Sequence, residues 1–295
     1  MTIYDDLLQD TIDLHCHVDL EFAQSELRKR EPEWEWLPKA ERMGMRGVLL
    51  KSHWFPTAAV VPYIERLYSG PTTLWSSTVL NPIAGGAELW AAESAAKMGA
   101  RVIFLPTWGS CHDLESGGGF IMQHLKRMYP TFDPRQIDGA RFLNEDGKLT
   151  ARGYELLELC HKNDLALATG HVSWQESMAF IRSASERKFE RLIFTHPMLH
   201  TPVDALQQAA EWGAWIELCW TNIQPGRLDP SEAVKRIHAV GAAHVVVSTD
   251  YFRPAQPSPP ELFRYCLGTL YDAGLTREEI RMVAAQNPAR ALGLA

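Results

Sequence analysis

Eight short apolar runs, spaced along 295 residues, constrain the fold of this chain more than any other feature. They occupy 11–14, 47–50, 73–80, 101–105, 165–169, 191–195, 214–218 and 244–248. Several are near-continuous Val, Ile and Leu, as in VIFL, LIF and VVV, the pattern of strands covered on both faces of a parallel sheet. Most intervals carry a helical pattern. The stretch 82–99 ends on the stop signal Gly99, 173–187 and 204–212 repeat the idea, and 231–240 precedes Gly241. Eight strands alternating with helices predict a (β/α)8 TIM barrel rather than an open doubly wound sheet of five or six strands. No G-x-G-x-x-G follows the first strand and no Walker A sequence occurs, so the nucleotide-binding sheets lack their motifs. A barrel of this kind needs about 250 residues, so 1–295 reads as a single barrel domain without a linker. Two connections are long, 19–39 after strand 1 and 106–148 after strand 4, and excursions of that length on one face of a barrel shape a substrate site.

Composition narrows the functional classes. With 46% hydrophobic and 22% charged residues the chain can build a core, and a largely disordered chain is excluded. The net charge is 29 − 36 = −7 with no Lys/Arg-dense face, which argues against binding nucleic acid through phosphates. The one basic cluster, Arg28-Lys29-Arg30, is followed by Glu31 and reads as a solvated loop. No stretch approaches 18 apolar residues, and the acidic N-terminus MTIYDDLLQD lacks a secretory core, so no membrane span or signal is expected. The five cysteines are scattered, odd in number and without C-x-x-C, against a disulfide framework or a cysteine zinc site. The resulting expectation is a cytoplasmic protein with a small-molecule partner, forming homo-oligomers as cytosolic barrels commonly do.

The chemistry lies at the ends of the runs. Strand 1 ends Ile12-Asp13-Leu14-His15-Cys16-His17, and alternate side chains share a side of a strand, so His15 and His17 project together at its C-terminal end. Two imidazoles suit a borderline divalent ion such as zinc. Strand 5 ends at His171, strand 6 at His196 and strand 8 at Asp250. All lie just after an apolar run, at the face where barrel active sites form. A lone strand-end histidine is more often structural; four histidines and an aspartate at one address predict a metal site.

In that order the motifs resemble the amidohydrolase superfamily: H-x-H on strand 1, His on strands 5 and 6, Asp on strand 8. The tail Asn287-Pro288-Ala289-Arg290-Ala291-Leu292-Gly293-Leu294 is similar to a terminal element of that superfamily, so the resemblance spans residues 12–294. It implies a metal-dependent hydrolase in which His15, His17 and Asp250 hold one ion. His171 and His196 would hold a second ion or orient substrate. Zinc is the first choice, in one or two ions, with manganese, iron or nickel as alternatives. A metal-bound hydroxide would attack an amide, cyclic amide, lactone or ester carbonyl, and Asp250 would carry its proton to the leaving group.

The chain departs from the family at strand 4, which ends Phe104-Leu105-Pro106 with no bridging carboxylate. Strand 2 ends Leu50-Lys51-Ser52-His53. Three roles for Lys51 stay open: a carboxylated bridge between two ions, a substrate contact, or a solvent-facing lysine. His53 reads as a ligand or a substrate hydrogen bond. Asn81, Trp108, Glu217, Trp220, Tyr251 and Arg253 stand around other strand ends as candidate substrate contacts. Packing is the alternative for the tryptophans and a surface role for Arg253. Two other activities compete: a phosphoesterase of histidinol-phosphatase-like type, although a terminal D-x-H is missing, and a single-metal decarboxylase. A non-catalytic scaffold would be expected to have lost some of these five ligands.

Overall fold

Val245–Ser248, reading VVVS, shows how the sequence builds the sheet: β-branched side chains pack on both faces, and all four residues are buried. In the computed structural model, residues 4–22, 31–116, 123, 126, 131, 133, 137–224, 226–252 and 256–294 are described. The basic cluster Arg28–Arg30 and the candidate Arg253 lie outside them.

Eight parallel strands follow in sequence order: β1 (Ile12–His17), β2 (Gly47–Lys51), β3 (Thr73–Val79), β4 (Ala100–Phe104), β5 (Ala166–Ala168), β6 (Leu192–Phe194), β7 (Trp215–Cys219) and β8 (Val245–Ser248). Each is followed by one principal helix: α1 (Glu33–Arg42), α2 (Val61–Leu67), α3 (Leu89–Lys97), α4 (Ala151–Lys162), α5 (Trp174–Glu186), α6 (Val203–Glu211), α7 (Pro230–Val240) and α8 (Pro259–Asp272). The seam between β8 and β1 closes through a parallel bridge from Cys16 to Tyr251, with His17 N–H donating to Tyr251 O at 2.9 Å. This is the (β/α)8 barrel that the eight runs predict.

Helix ends follow local chemistry. The side chains of Ser173 and Glu176 form a reciprocal capping box at the start of α5, and the Thr150 hydroxyl accepts from Gly153 N–H at the start of α4. After β4 the connection runs from 105 to 150, as long as expected, while α1 begins at Glu33, earlier than the predicted end of the first connection at residue 39.

Two apolar layers hold the barrel. The outer one packs the helices on the sheet. The inner one contains Ile12, Leu14, Leu49, Val79, Val102, Phe104 and Ile193, together with Ala289, Ala291 and Leu292 of the C-terminal segment. The N-P-A-R element therefore forms the barrel floor, with its helix Asn287–Ala291 fixed by two bonds from Asn287 Nδ2 to Ala242 O and Val245 O at 2.8 and 2.7 Å. Functional side chains are left for the opposite end. Among the described residues no helix is long and apolar enough to cross a membrane.

Candidate metal centre

Strand β1 does not alternate strictly. Ile12 and Leu14 face the inner layer, whereas Cys16 belongs to the outer one. The pairing with β2 shifts register between Asp13 and Cys16. This irregularity turns His15 and His17 toward the barrel mouth although Leu14 already points inward. Three other exits use left-handed backbone: Gly170 has φ 60°, His196 30° and Asp250 49°. Such values are costly for His and Asp and cluster at functional sites. They set the turns from which His171, His196 and Asp250 leave their strands.

The side chains converge. Asp250 Oδ1 lies 3.2 Å from His15 Nε2 and 3.3 Å from His17 Nε2. The ligand atoms of these three residues all fall within 4.8 Å of one another. Opposite them, His171 Nε2 and His196 Nε2 are 3.2 Å apart. Lys51 Nζ is 2.7 Å from His15 Nε2 and 4.8 Å from the centre of the Phe104 ring. Strand 4 thus presents a phenyl ring where a bridging carboxylate would stand, and Lys51 lies inside the cluster, excluding its solvent-facing role.

Buried carboxylates set the imidazoles from behind. Glu217 contacts His15 Nδ1 at 3.2 and 3.3 Å, receives the Ser248 hydroxyl at 2.6 Å and accepts His196 N–H at 3.2 Å. Glu21 contacts His17 Nδ1 at 2.7 Å and also the Nδ1 of His53. The rings of His17 and His53 stack with centroids 4.4 Å apart. Pinning Nδ1 to a carboxylate turns Nε2 toward the cluster, the arrangement that orients metal-ligating histidines.

The charges are strongly coupled. Burial opposes ionisation of Glu21 and Glu217, yet the neighbouring imidazoles prevail, holding Glu217 at about 2 and Glu21 well below the usual carboxylate range. Asp250 is likewise held ionised, because His15, His17 and Lys51 outweigh its burial. Burial lowers Lys51 and His15, and pushes His53 to about 4 and His196 to about 3. Neutral imidazoles facing ionised carboxylates form a donor set suited to a divalent cation.

A cavity of about 210 Å³ opens over this cluster, lined among others by Lys51, Trp108, His171, His196, Asp250 and Phe252. His53 also lines it. Four candidate substrate contacts do not. Asn81 is fully buried and spends its amide on His53 O and Thr107, so it fixes two loops instead. Glu217 lies behind His15. Trp220 packs edge-on against Tyr265 with centroids 4.9 Å apart. Tyr251, 1% exposed, closes the seam through its backbone. Strand-end position alone does not separate residues that line the cavity from those buried beneath or beside it.

Glu21, Asp113 and Thr221 were not apparent as site residues. Glu21 carried a signal in its i+4 spacing from His17. Asp113 also lines the cavity, with Oδ1 3.6 Å from His171 Nδ1, and the Thr221 hydroxyl donates to Asp250 Oδ2 at 2.9 Å. Both come from connections that only the fold brings to the mouth.

Solved structures share this architecture. An amidohydrolase from Pseudomonas aeruginosa is 12% identical over 98% of both chains, with a TM-score of 0.60. A dipeptidase AC, a metallopeptidase of family M19, is 14% identical over 97% of this chain and 98% of its own, with a TM-score of 0.63. The 5-carboxyvanillate decarboxylase from Sphingomonas paucimobilis is 13% identical over 98% of this chain and 100% of its own, with a TM-score of 0.57. At these identities the likeness is one of fold, and the resemblance read from the motifs extends to the fold. No curated protein matches the sequence. Residues 10–217 match the model described as Family of unknown function (DUF6282), and the chain belongs to that family.

Proposed function

We propose that this protein is a metal-dependent hydrolase acting on the amide, cyclic amide, lactone or ester carbonyl of a small molecule. The observation that carries this reading is the meeting of His15 Nε2, His17 Nε2 and Asp250 Oδ1, with each imidazole pinned from behind by a buried glutamate. His15, His17 and Asp250 would hold the first ion, with His171 and His196 available for a second. Zinc suits the nitrogen-rich set best. When bound, such an ion lowers the pKa of water from about 15.7 toward about 7 and polarises a carbonyl oxygen.

The remaining steps fall to the chain's own groups. Asp250 is ionised and opens into the cavity, so it can accept the proton of an attacking water and return it to the leaving group. The Thr221 hydroxyl holds Asp250 Oδ2 and fixes the direction of the other oxygen. His171 and His196, whose Nε2 atoms lie 3.2 Å apart beside the cavity, can orient the carbonyl. The cavity has room for about one ring with substituents, since about 150 Å³ accommodates benzene.

A single-ion decarboxylase is the second reading. Phe104 at the end of β4 favours it, because no carboxylate is supplied there to join two ions. Metal counting together with turnover separates the readings. Protein loaded with zinc or manganese and challenged with amides, lactams, lactones, esters and unsaturated carboxylic acids should release acid from the carbonyl compounds. Release of CO₂ with one ion bound would favour the second reading, and turnover unaffected by chelation would refute both.

A further inference from the structure

The connection after β7 forms one wall of the cavity over the ligand cluster. Thr221, Asn222, Gln224 and Arg227 all line it. Main-chain bonds fix this wall. Gln224 N–H donates to Trp220 O and Arg227 N–H to Gln224 O, each at 3.1 Å, and Leu228 N–H returns to Asn222 O at 3.0 Å. The Thr221 hydroxyl bonds Asp250, which ties the wall to the converging donors. Bonded main chain therefore places Arg227 beside the cavity.

The side chain of Arg227 is exposed, and among the described residues it makes no hydrogen bond, ion pair or ring contact. Other arginines of the chain are paired: Arg141 with Glu115, Arg152 with Glu88, Arg191 with Asp164 and Arg264 with Asp5. The carboxylates of the cavity are committed elsewhere. Asp250 faces His15 and His17, and Asp113 Oδ1 lies 3.6 Å from His171 Nδ1. Lys51, which also lines the cavity, is buried against His15. An unpaired arginine is ordinary on an open surface. At the wall of a metal centre it is a cation whose counter-ion the protein does not supply. Its guanidinium carries parallel N–H donors that match the two oxygens of a carboxylate, and its long stem lets that fork swing to meet a ligand.

We infer that Arg227 is a specificity-determining residue of this cavity: its guanidinium receives a carboxylate of the substrate while the metal centre holds the carbonyl to be cleaved. The ligand class is a small acid anchored at two points, a reactive carbonyl at one end and a carboxylate at the other. The inference rests on the reading of this cavity as the substrate site and narrows it. Among amides, lactams, lactones and esters, the cavity favours those that also carry an acid group. A neutral analogue forfeits a charge-assisted pair, which is stronger than a bond between neutral partners.

The test measures binding of butyrate, succinate, glutarate and adipate to the zinc-loaded protein, by calorimetry or ligand-observed NMR. Each acid can place one carboxylate on the ion, and only the diacids can offer a second to Arg227. The diacid of matching length should bind the wild type about tenfold more tightly than butyrate, against the roughly twofold statistical gain of having two ends. Arg227→Gln should collapse the ratio to that statistical value, and Arg227→Lys should keep part of it, since the charge stays and the fork is lost. Arg281→Gln removes the same charge beside Ala289 at the barrel floor and should leave the ratio unchanged, which separates a local pair from the overall field. A merely structural role for Arg227 would weaken butyrate and the diacids alike. Zinc-dependent binding of butyrate with no diacid preferred, or a preference that survives Arg227→Gln, would overturn the inference and leave the metal centre standing. Absence of zinc-dependent binding of all four acids at tens of millimolar would overturn the reading of the cavity as an open metal site, and the inference with it. The wild-type series decides the matter even if a variant does not fold.

Discussion

Lys51 Nζ lies 2.7 Å from His15 Nε2, on the same lone pair that a metal ion would need. Both groups are buried, and burial depresses both. A protonated lysine beside a divalent cation is repelled, and its removal or conversion to a carbamate relieves that repulsion. The carbamate gains more, because it supplies the anionic bridge that Phe104 does not. Protein loaded with two ions in bicarbonate should therefore show continuous extra density on the Lys51 amine, and protein with one ion should show none. Lys51→Ala should lose the second ion and recover part of it with a short carboxylic acid. Two fully occupied ions beside an unmodified Lys51 more than about 5 Å from both, far beyond a coordination bond, would end the bridging idea.

Removing a ligand and removing its support should differ in size. His17→Ala deletes one of three converging donors, so metal content and turnover should both disappear. Glu21→Gln keeps the shape but weakens the hold on the Nδ1 atoms of His17 and His53, and about 10–100-fold in metal affinity should go. Competition with a calibrated chelator measures both. Unchanged zinc affinity in Glu21→Gln would show that the glutamate is structural only.

The eight strands and the histidines were legible because they rest on local pattern: apolar runs mark strands, and ligands follow their ends. Long-range pairing was not legible. Glu21 meets His53 across 32 residues, and Asp113 meets His171 across a connection without regular periodicity. The register shift in β1 is also silent, since nothing in Asp13-Leu14-His15 announces that two consecutive residues will face inward. Glu217 and Trp220 stand at a strand end like true mouth residues, and only three-dimensional packing sets Glu217 beneath His15 and Trp220 against Tyr265.

Gly170 offers a test of how backbone conformation places the strand-5 histidine. Its φ is 60°, and a Cβ there would come within 2.3 Å of Leu105 O. The main-chain oxygen, just past the end of β4, cannot yield cheaply, because Leu105 N–H is bonded to Ala168 O at 2.8 Å. Gly170→Ala should cost about 2–4 kcal/mol, combining left-handed strain with overpacking. Urea unfolding measures this, and a loss below about 0.5 kcal/mol, the size of an ordinary surface change, would contradict it.

Acid should destabilise the metal-free protein before Glu21 and Glu217 titrate. Burial lowers His53 to about 4 and His196 to about 3, against an ordinary value of about 6.5 in the unfolded chain. Between about pH 6.5 and 4 the unfolded state binds protons that the folded state refuses, so stability falls as pH falls. His53 alone accounts for about 3 kcal/mol at full separation. Glu21 and Glu217, both depressed, extend the loss below their unfolded value of about 4.5. Asp13 opposes this trend. Desolvation raises it to about 7 despite its bonds from Thr249, so from pH 7 down toward 4 it is protonated in the folded state first and adds stability. Two imidazoles against one carboxyl leave a net decline, and Asp13→Asn should steepen it by removing the opposing group. Urea midpoints measured in chelator from pH 8 to pH 4 should fall below about pH 6.5, while a midpoint that holds level or rises over that interval in both proteins would show that these imidazoles are not held neutral by burial.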